Sequence, residues 1–201
     1  MGNCGEVERT LRATGMLVRQ DKLLPSVVGI ITGEQLTTSW WDHSKAHEIF
    51  RCLERLGEDS DVLITRLIGG KVTYLERRLW PAFLAVATSD EPWQKRGLSE
   101  DARRLLRAVV RTGVQQAKGL AARDLQERLL VRSEEIHTEA GRHELVLQMW
   151  ESWSGAREVG PQISPAVGRE QLERVLRSIE GNTALLPWYR FGKPKGGRTA
   201  A

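Results

Sequence analysis

The four histidines of this chain fall into two close groups, and both groups contain acidic residues. They occupy residues 42–48 (DHSKAHE) and 137–144 (HTEAGRHE). Imidazole nitrogens and carboxylate oxygens are ligands that zinc takes in proteins. If a helix begins early enough, His43 and His47 share one face of it at positions i and i+4. His137, Glu139 and His143 would then add ligands from the second half, although neither group has the HExxH pattern and no metal is assigned.

The same residues allow a chemistry that needs no metal. His137, Arg142 and His143, together with Lys71 and Arg78, would form an anion pocket. Because the pKa of histidine lies near neutral pH, an imidazole in that pocket would act as a general acid or base. The chain has no nucleophile elbow, P-loop or dinucleotide motif, so no named reaction and no cofactor is predicted. A small hydrolase whose site combines His43, His47, His137 and His143, with or without a metal ion, is therefore kept as an alternative function.

The basic charge of the chain is concentrated at its C-terminal end. The 201 residues include 30 Lys and Arg against 26 Asp and Glu, for a net charge of +4. Residues 189–201 contain four of these cations and no acidic residue, so residues 1–188 are balanced. We expect this Gly- and Pro-rich tail to be disordered. It would either add salt-sensitive affinity for phosphates or serve as a solubilising end.

Composition limits the class of protein. With 40% hydrophobic residues, the chain can bury a core and is not disordered as a whole. Its longest uncharged apolar runs, such as residues 23–32, are much shorter than the roughly 20 residues that span a bilayer. No secretory signal is visible at the N-terminus.

Cys4 and Cys52 suit a reducing cytoplasm and make no disulfide framework, and we expect Cys52 in the core or at its boundary. A cytoplasmic location and no membrane partner are predicted.

The first 89 residues are predicted to fold as short helices followed by a β-hairpin. The expected elements are a helix at 6–13 ended by Gly15, a helix or strand at 26–32, a helix at 45–56 capped by Ser44 and ended by Gly57, a hairpin near 62–76, and a helix at 79–88 with Pro81 in its first turn. Gly69 and Gly70 favour a type I′ turn, which needs positive φ at both central positions. Helices followed by a hairpin are the order of a winged-helix unit, in which 45–56 would be the recognition helix.

Such a unit would contact DNA through its recognition helix and its wing. The available side chains are Ser44, Lys45 and His47 on the helix, Arg66 and Lys71 on the wing, and Arg77 and Arg78 after it. Lys and Arg at these places are what phosphate contact requires, so Lys45, Lys71, Arg77 and Arg78 are predicted to bind phosphates. Winged helices also serve as protein-contact modules, and several acidic residues are close by.

Trp40 and Trp41 are adjacent in the sequence, and adjacent indoles point in different directions in most backbones. One of the two, Trp41, is therefore a candidate for an exposed ring that stacks on a base. Core packing or a protein interface is the alternative for the same pair.

Residues 90–153 are predicted to form a helical module. The expected elements are a helix from Ser99 to Gly113, a helix at 120–130, a short strand at 131–138 and a helix at 143–153. A linker at 154–168 and a C-terminal helix within 169–188 follow. The stretch 99–150 also has the order of a second helical module with a wing.

Four motifs carry a resemblance to known proteins. They are SWWDHSK at 39–45, GKVT at 70–73, RRLWP at 77–81 and HTEAGRH at 137–143. In these motifs, which are spread over residues 25–145, the chain resembles a family of bacterial hypothetical proteins. In architecture it is more distantly similar to the winged-helix domains of AlkZ-like DNA glycosylases, which implies DNA binding. The glutamine-centred catalytic motif of those enzymes has no counterpart here, because Gln115 and Gln116 lack the expected spacing, so glycosylase activity is not implied.

Together these patterns predict a mainly helical α+β protein with a winged-helix-like module packed on a second helical module. The function they favour is a DNA-binding accessory protein of repair or transcriptional regulation. The alternatives are the small hydrolase described above and a protein-interaction adaptor that uses exposed tryptophans.

Overall fold

The structure is a computed structural model, and it describes residues 3–137 and 143–192, with residues 135–137 and 143 described by their backbone alone. The chain divides into two compact units. Unit 1 comprises residues 1–86 and 159–183, and unit 2 comprises residues 87–158 and 184–201. Each unit combines helices with a three-stranded antiparallel sheet, so the predicted α+β class is confirmed.

The elements follow one another in this order: α1 (Cys4–Thr14), β1 (Met16–Val18), α2 (Val27–Thr32), α3 (Ala46–Glu58), β2 (Val62–Ile68), β3 (Lys71–Glu76), a 3-10 turn (Arg77–Leu79), α4 (Trp80–Ala87), α5 (Pro92–Lys95), α6 (Glu100–Thr112), β4 (Val114–Gln116), α7 (Gly119–Glu127), β5 (Arg132–His137), β6 (His143–Gln148), α8 (Trp150–Ser154), α9 (Pro165–Ser178), a second 3-10 turn (Thr183–Leu185) and α10 (Pro187–Gly192).

The sheet of unit 1 has the strand order β1-β3-β2, with β3 antiparallel to both neighbours. The hairpin between β2 and β3 turns at Gly69 and Gly70, whose φ angles of 60° and 73° are those a type I′ turn requires. The predicted hairpin is therefore confirmed. One face of the sheet packs on α1, α2 and α3, and the core there consists of Val7, Leu11, Leu17, Val27, Val28, Ile31, Trp40, Ile49, Cys52, Leu56 and Tyr74.

Local signals explain the ends of the first two helices. Helix α1 ends at Gly15, which has a φ of 84°. Segment 26–32, left open between helix and strand, is helix α2, because the Ser26 hydroxyl accepts a hydrogen bond from the Gly29 amide at 3.0 Å. Gly33, with a φ of 81°, ends it.

The start of α3 differs from the prediction. The helix begins at Ala46, and its N-cap position is Lys45 rather than Ser44. The turn before the helix is fixed by His43, whose Nδ1 accepts a hydrogen bond from the Lys45 amide at 3.1 Å. The prediction that Gly57 ends the helix is also wrong, because α3 continues to Glu58.

Unit 2 contains three strands besides its helices, so the helix predicted for 143–153 is wrong in its first part, while the alternative of a helical module with a wing in 99–150 is compatible with the β5–β6 hairpin. Residues 143–148, predicted as the first part of a helix, form β6 at the centre of a sheet with the order β4-β6-β5. Backbone pairing with strands on both sides decides this, since β6 pairs with β4 through 146–148 and with β5 through 143–148. The predicted strand at 131–138 is confirmed as β5, and the helix from Ser99 to Gly113 is confirmed as α6 with its predicted caps.

The C-terminal segments also depart from the sequence prediction. Helix α9 begins at Pro165, inside the predicted linker, because the Ser164 hydroxyl accepts a hydrogen bond from the Val167 amide at 3.3 Å. Residues 189–192, predicted as the start of a disordered tail, belong to α10. Arg190 there forms an ion pair with Glu127 at 2.9 Å. Residues 193–201 lie outside the described residues.

Cys4 and Cys52 form a disulfide with a Cα–Cα distance of 5.5 Å, which corrects the expectation that these cysteines make no disulfide framework. The bond joins the first residue of α1 to the middle of α3, which the sequence places 48 positions apart. The expectation that Cys52 is a core residue is confirmed by its 1% exposure. Within residues 3–137 and 143–192, no helix is long and apolar enough to cross a membrane.

Candidate nucleic-acid interface

Four cations gather at the hairpin end of the unit 1 sheet, and we call them the basic tip: Arg19, Lys22, Arg66 and Lys71. Strand β1 ends at Val18, and the Arg19 amide continues the pairing by donating to the Val72 carbonyl at 2.8 Å. Lys71 is the first residue of β3, and the Arg66 guanidinium on β2 donates to the Gly70 carbonyl at 3.0 Å. The three strands therefore bring these cations from three separate chain segments to one end of the sheet.

Asp21 holds the loop of the basic tip in place. Its carboxylate forms an ion pair with Lys71 and accepts hydrogen bonds from the amides of Leu23 at 2.8 Å and Leu24 at 3.2 Å. Burial by itself would raise the pKa of Asp21, but the Lys71 ammonium and the two backbone amides outweigh it, so the pKa lies below its ordinary value. Asp21 is thus ionised at neutral pH and neutralises Lys71.

Arg19 and Lys22 remain available to an outside anion. Both side chains are exposed, and neither forms an ion pair with another residue that the structure describes. They belong to the same short loop, residues 19–22, which therefore presents two exposed cations. An arrangement of this kind attracts phosphate groups.

An aromatic platform, which we define as Trp40, Trp41 and Phe50, lies at the start of α3. Trp40 is 5% exposed and belongs to the core, whereas Trp41 is 63% exposed. The two indole rings are stacked, with a centroid distance of 4.1 Å and an angle of 23° between their planes. The ring of Phe50, on α3, lies 6.3 Å from that of Trp41 and is partly exposed. The prediction that Trp41 is the exposed member of the pair is confirmed.

Gln20 connects the loop of the basic tip to the segment that precedes the aromatic platform. Its side-chain amide donates to the carbonyl of Thr38 at 2.6 Å and to that of Leu36 at 3.2 Å. Gln20 follows Arg19 in the chain, and Thr38 precedes Trp41 by three residues. Within unit 1, the loop that carries Arg19 and Lys22 is therefore hydrogen-bonded to the segment that leads into Trp40 and Trp41.

Lys45, a predicted phosphate ligand, has a partner inside the fold. Its ammonium donates to the carbonyls of Ile31 at 2.7 Å and Thr32 at 3.3 Å, at the C-terminal end of α2. A cation at this end of a helix satisfies carbonyls that lack an intrahelical partner and interacts favourably with the helix dipole.

Arg77 and Arg78 lie at the other end of β3, away from the basic tip. Arg77 forms an ion pair with Asp61 at 3.0 Å. The Arg78 guanidinium donates to the carbonyls of Arg12 and Ala13, in the last turn of α1, and pairs with Glu76 at 3.0 Å. Of the four predicted phosphate ligands, only Lys71 is brought to the basic tip.

The first histidine pair is not on one helix, because α3 begins only at Ala46. His43 precedes the helix, and its Nε2 lies 3.2 Å from a carboxylate oxygen of Glu34. His47 is exposed on α3 and lines an open groove of about 930 Å³ beside α1. The lining of this groove also includes three arginines and four glutamates, so charges of both signs are present. The condition under which His43 and His47 would share a helix face, an earlier start of the helix, is therefore not met.

The second histidine pair is described by its backbone only. His137 and His143 are paired in register across β5 and β6, while Glu139 and Arg142 lie outside the described residues. In the described part of the chain, no group of three or more His, Cys, Asp or Glu residues could hold a metal ion. The metal site and the anion pocket that use residues 137–143 stay predictions.

Arg19, Lys22 and Asp21 were not predicted from the sequence as parts of a site. These residues belong to the segment RQDK, which directly follows the apolar triplet 16–18. The segment can be predicted as a loop at the end of a sheet only when the triplet is recognised as strand β1. A strand of three residues is too short for an alternating pattern to show. Arg66 was predicted as a wing residue, and the structure adds the neighbours that make it part of a cluster.

Comparison with protein-family models, with curated proteins and with solved structures found no match to this chain.

Proposed function

We propose that unit 1 is a winged-helix-like module that binds duplex DNA through its basic tip. The order α1-β1-α2-α3-β2-β3 and the sheet order β1-β3-β2 support this proposal, because they supply a helix α3 followed by a hairpin wing. In winged helices the wing and the recognition helix meet the duplex together. The proposed role remains that of an accessory protein in repair or transcriptional regulation.

The basic tip is the observation that carries the proposal. Unit 1 as a whole contains as many acidic as basic residues, so it has no general attraction for a polyanion. Any attraction must therefore be local, and the basic tip combines the four cations Arg19, Lys22, Arg66 and Lys71 with one carboxylate, that of Asp21, which pairs with Lys71. Each phosphate neutralised by such a cation releases bound counterions, which makes binding dependent on salt.

In this proposal the other predicted ligands have a structural role. Lys45 and Arg78 stabilise the ends of α2 and α1, and Arg77 joins the end of β3 to Asp61. Replacing one of them should lower stability first and affect DNA binding only through the fold.

With the proposed DNA-binding role we also propose a cytoplasmic location. Disulfides are rare in that compartment, so trapping the thiols of Cys4 and Cys52 with an alkylating reagent at lysis tests the location. Alkylated cysteines would support it, and a fully oxidised pair would argue for an oxidising compartment.

The function is tested by fluorescence anisotropy with a labelled duplex at several salt concentrations. The double variant Arg19→Ala/Lys22→Ala removes both exposed cations of the loop. The matched control, Arg111→Ala/Lys118→Ala, removes one Arg and one Lys that are also exposed and lack an ion pair within the described residues, but that belong to unit 2. We expect the first variant to reduce the slope of log K against log salt by about 2, since each phosphate that is no longer neutralised lowers it by about 0.9. The control should keep the wild-type slope.

A third full-length variant separates the fold from the C-terminal residues. In it, Lys193, Lys195 and Arg198 are replaced by alanine. Binding that survives this change and is lost in Arg19→Ala/Lys22→Ala supports the proposal. Binding that disappears with the three C-terminal cations, or that is equal in the two double variants, refutes it.

A further inference from the structure

We propose that the aromatic platform accepts one unpaired base of a DNA strand whose phosphates lie on the basic tip. The chain would accordingly prefer a duplex that contains an unpaired nucleotide over a fully paired duplex. This inference rests on the proposed function and names the form of DNA that the same surface recognises.

Trp41 is arranged for stacking before any ligand arrives. One face of its indole is covered by Trp40, which is itself fixed in the core at 5% exposure. Because Trp41 is nevertheless 63% exposed, its accessible area lies on the opposite face and the ring edge. A base that stacks there extends the Trp40–Trp41 stack to three rings. The ring orientation is already held, so little conformational entropy is lost on binding.

Phe50 gives the platform a side wall. Its ring is inclined by 44° to that of Trp41 at a centroid distance of 6.3 Å. A flat, polarisable ring with a polar rim suits the space beside such a wall, since its faces contact the aromatic rings while its edges stay in water. Nucleobases have this shape, and each of the four has a face that can stack.

The cations on the loop that is hydrogen-bonded to the segment before the platform favour a nucleic acid as the occupant. Gln20, whose side-chain amide donates to the carbonyl of Thr38 two residues before Trp40, lies between Arg19 and Asp21 in the chain, and Lys22 follows Asp21. An unpaired nucleotide has a base for Trp41 and flanking phosphates for Arg19 and Lys22. A purely apolar partner would use the aromatic rings and leave these cations without a counterion. Single-strand-binding proteins combine the same two elements, a stacking surface and a cationic track.

The test compares two labelled duplexes of identical sequence, one fully paired and one with a single bulged thymine. Binding is measured for the wild-type chain, for Trp41→Ala, for Trp41→Phe, and for the control Leu120→Ala, which shortens an apolar side chain that is 85% exposed in unit 2. We expect the wild type to prefer the bulged duplex by about 5-fold to 150-fold, the range that one stacked base contributes. Trp41→Ala should abolish the preference, Trp41→Phe should keep part of it, and Leu120→Ala should keep all of it.

The outcomes separate this inference from the proposed function. If the wild type binds both duplexes equally and Arg19→Ala/Lys22→Ala weakens both, the basic tip binds DNA and the stacking site is refuted. If Trp41→Ala weakens both duplexes by the same factor, the preference does not come from a base, and the inference is also refuted. If the wild type binds neither duplex, the proposed function and this inference fail together. An unchanged thermal midpoint in Trp41→Ala shows that a lost preference is not caused by unfolding.

Discussion

Replacing Lys45 by methionine distinguishes a cation that stabilises the fold from one that binds DNA. The Lys45 ammonium donates to the Ile31 carbonyl at 2.7 Å and to the Thr32 carbonyl at 3.3 Å. Methionine keeps most of the apolar stem and removes the charge and the donors. Hydrogen bonds from charged groups contribute about 1.5–3 kcal/mol. Because Lys45 is only half-buried and water can reach the carbonyls it leaves, we expect Lys45→Met to lower the free energy of unfolding by about 1–2 kcal/mol.

The assay is urea unfolding followed by circular dichroism, with Lys22→Met as the matched control. Lys22 is exposed and has no ion pair with any residue in the described ranges, so its replacement should change stability by less than about 0.5 kcal/mol. In thermal unfolding, Lys45→Met should lower the midpoint by about 2–8 °C for a chain of this size.

DNA binding should respond in the opposite way. We expect Lys22→Met to reduce the salt slope by about 0.9, corresponding to one phosphate that is no longer neutralised, and Lys45→Met to leave that slope unchanged. A Lys45→Met protein that is as stable as the wild type and has a lower salt slope would refute the structural role assigned to Lys45. It would restore Lys45 as a phosphate ligand.

Two further predictions concern unit 1. Reduction of the Cys4–Cys52 disulfide should lower the free energy of unfolding by about 2–4 kcal/mol, because the bond closes a long loop in the unfolded chain. Urea unfolding with and without a reductant measures this difference. The double variant Cys4→Ser/Cys52→Ala is the control, and its stability should not depend on the reductant. Folding lowers the pKa of Asp21. The resulting stabilisation should be fully present above pH 3.8, the pKa of this carboxyl in the unfolded chain, and should be lost as the pH falls through the lower pKa of the folded state. Free energies of unfolding measured from pH 7 to pH 2 should therefore fall less steeply below pH 4 in Asp21→Asn than in the wild type, and equal slopes would contradict the assignment.

Local sequence signals determined several elements of this protein. Gly15 ends α1, Ser99 and Gly113 delimit α6, and Gly69 with Gly70 turns the hairpin. In each case the signal and the structure it specifies lie within a few residues of each other. A capping hydroxyl or a positive φ acts on its immediate neighbours, so these elements could be predicted without any knowledge of the rest of the chain.

Strand β6 was predicted incorrectly because its stability comes from distant partners. Residues 143–148 contain no strong turn or cap that excludes a helix, and their apolar positions fit a helical period about as well as an alternating one. Pairing with β4 and β5 on both sides decides the conformation. The triplets β1 and β4 show the same dependence, since three residues carry no period of their own.

Some residues of the candidate site could be predicted from the sequence, and others could be found only from the tertiary structure. The sequence alone supplied the exposed Trp41 and Lys71, together with Arg66 as a residue of the hairpin. Only the fold could show that Lys45 is hydrogen-bonded to the C-terminal end of α2 and that Cys4 forms a disulfide with Cys52. The same holds for the loop after β1, which brings cations to the hairpin. The groups that occupy a charged side chain, such as the Ile31 carbonyl at Lys45 and the Asp21 carboxylate at Lys71, come from other segments of the chain, so the sequence alone does not show which cations stay exposed and unpaired.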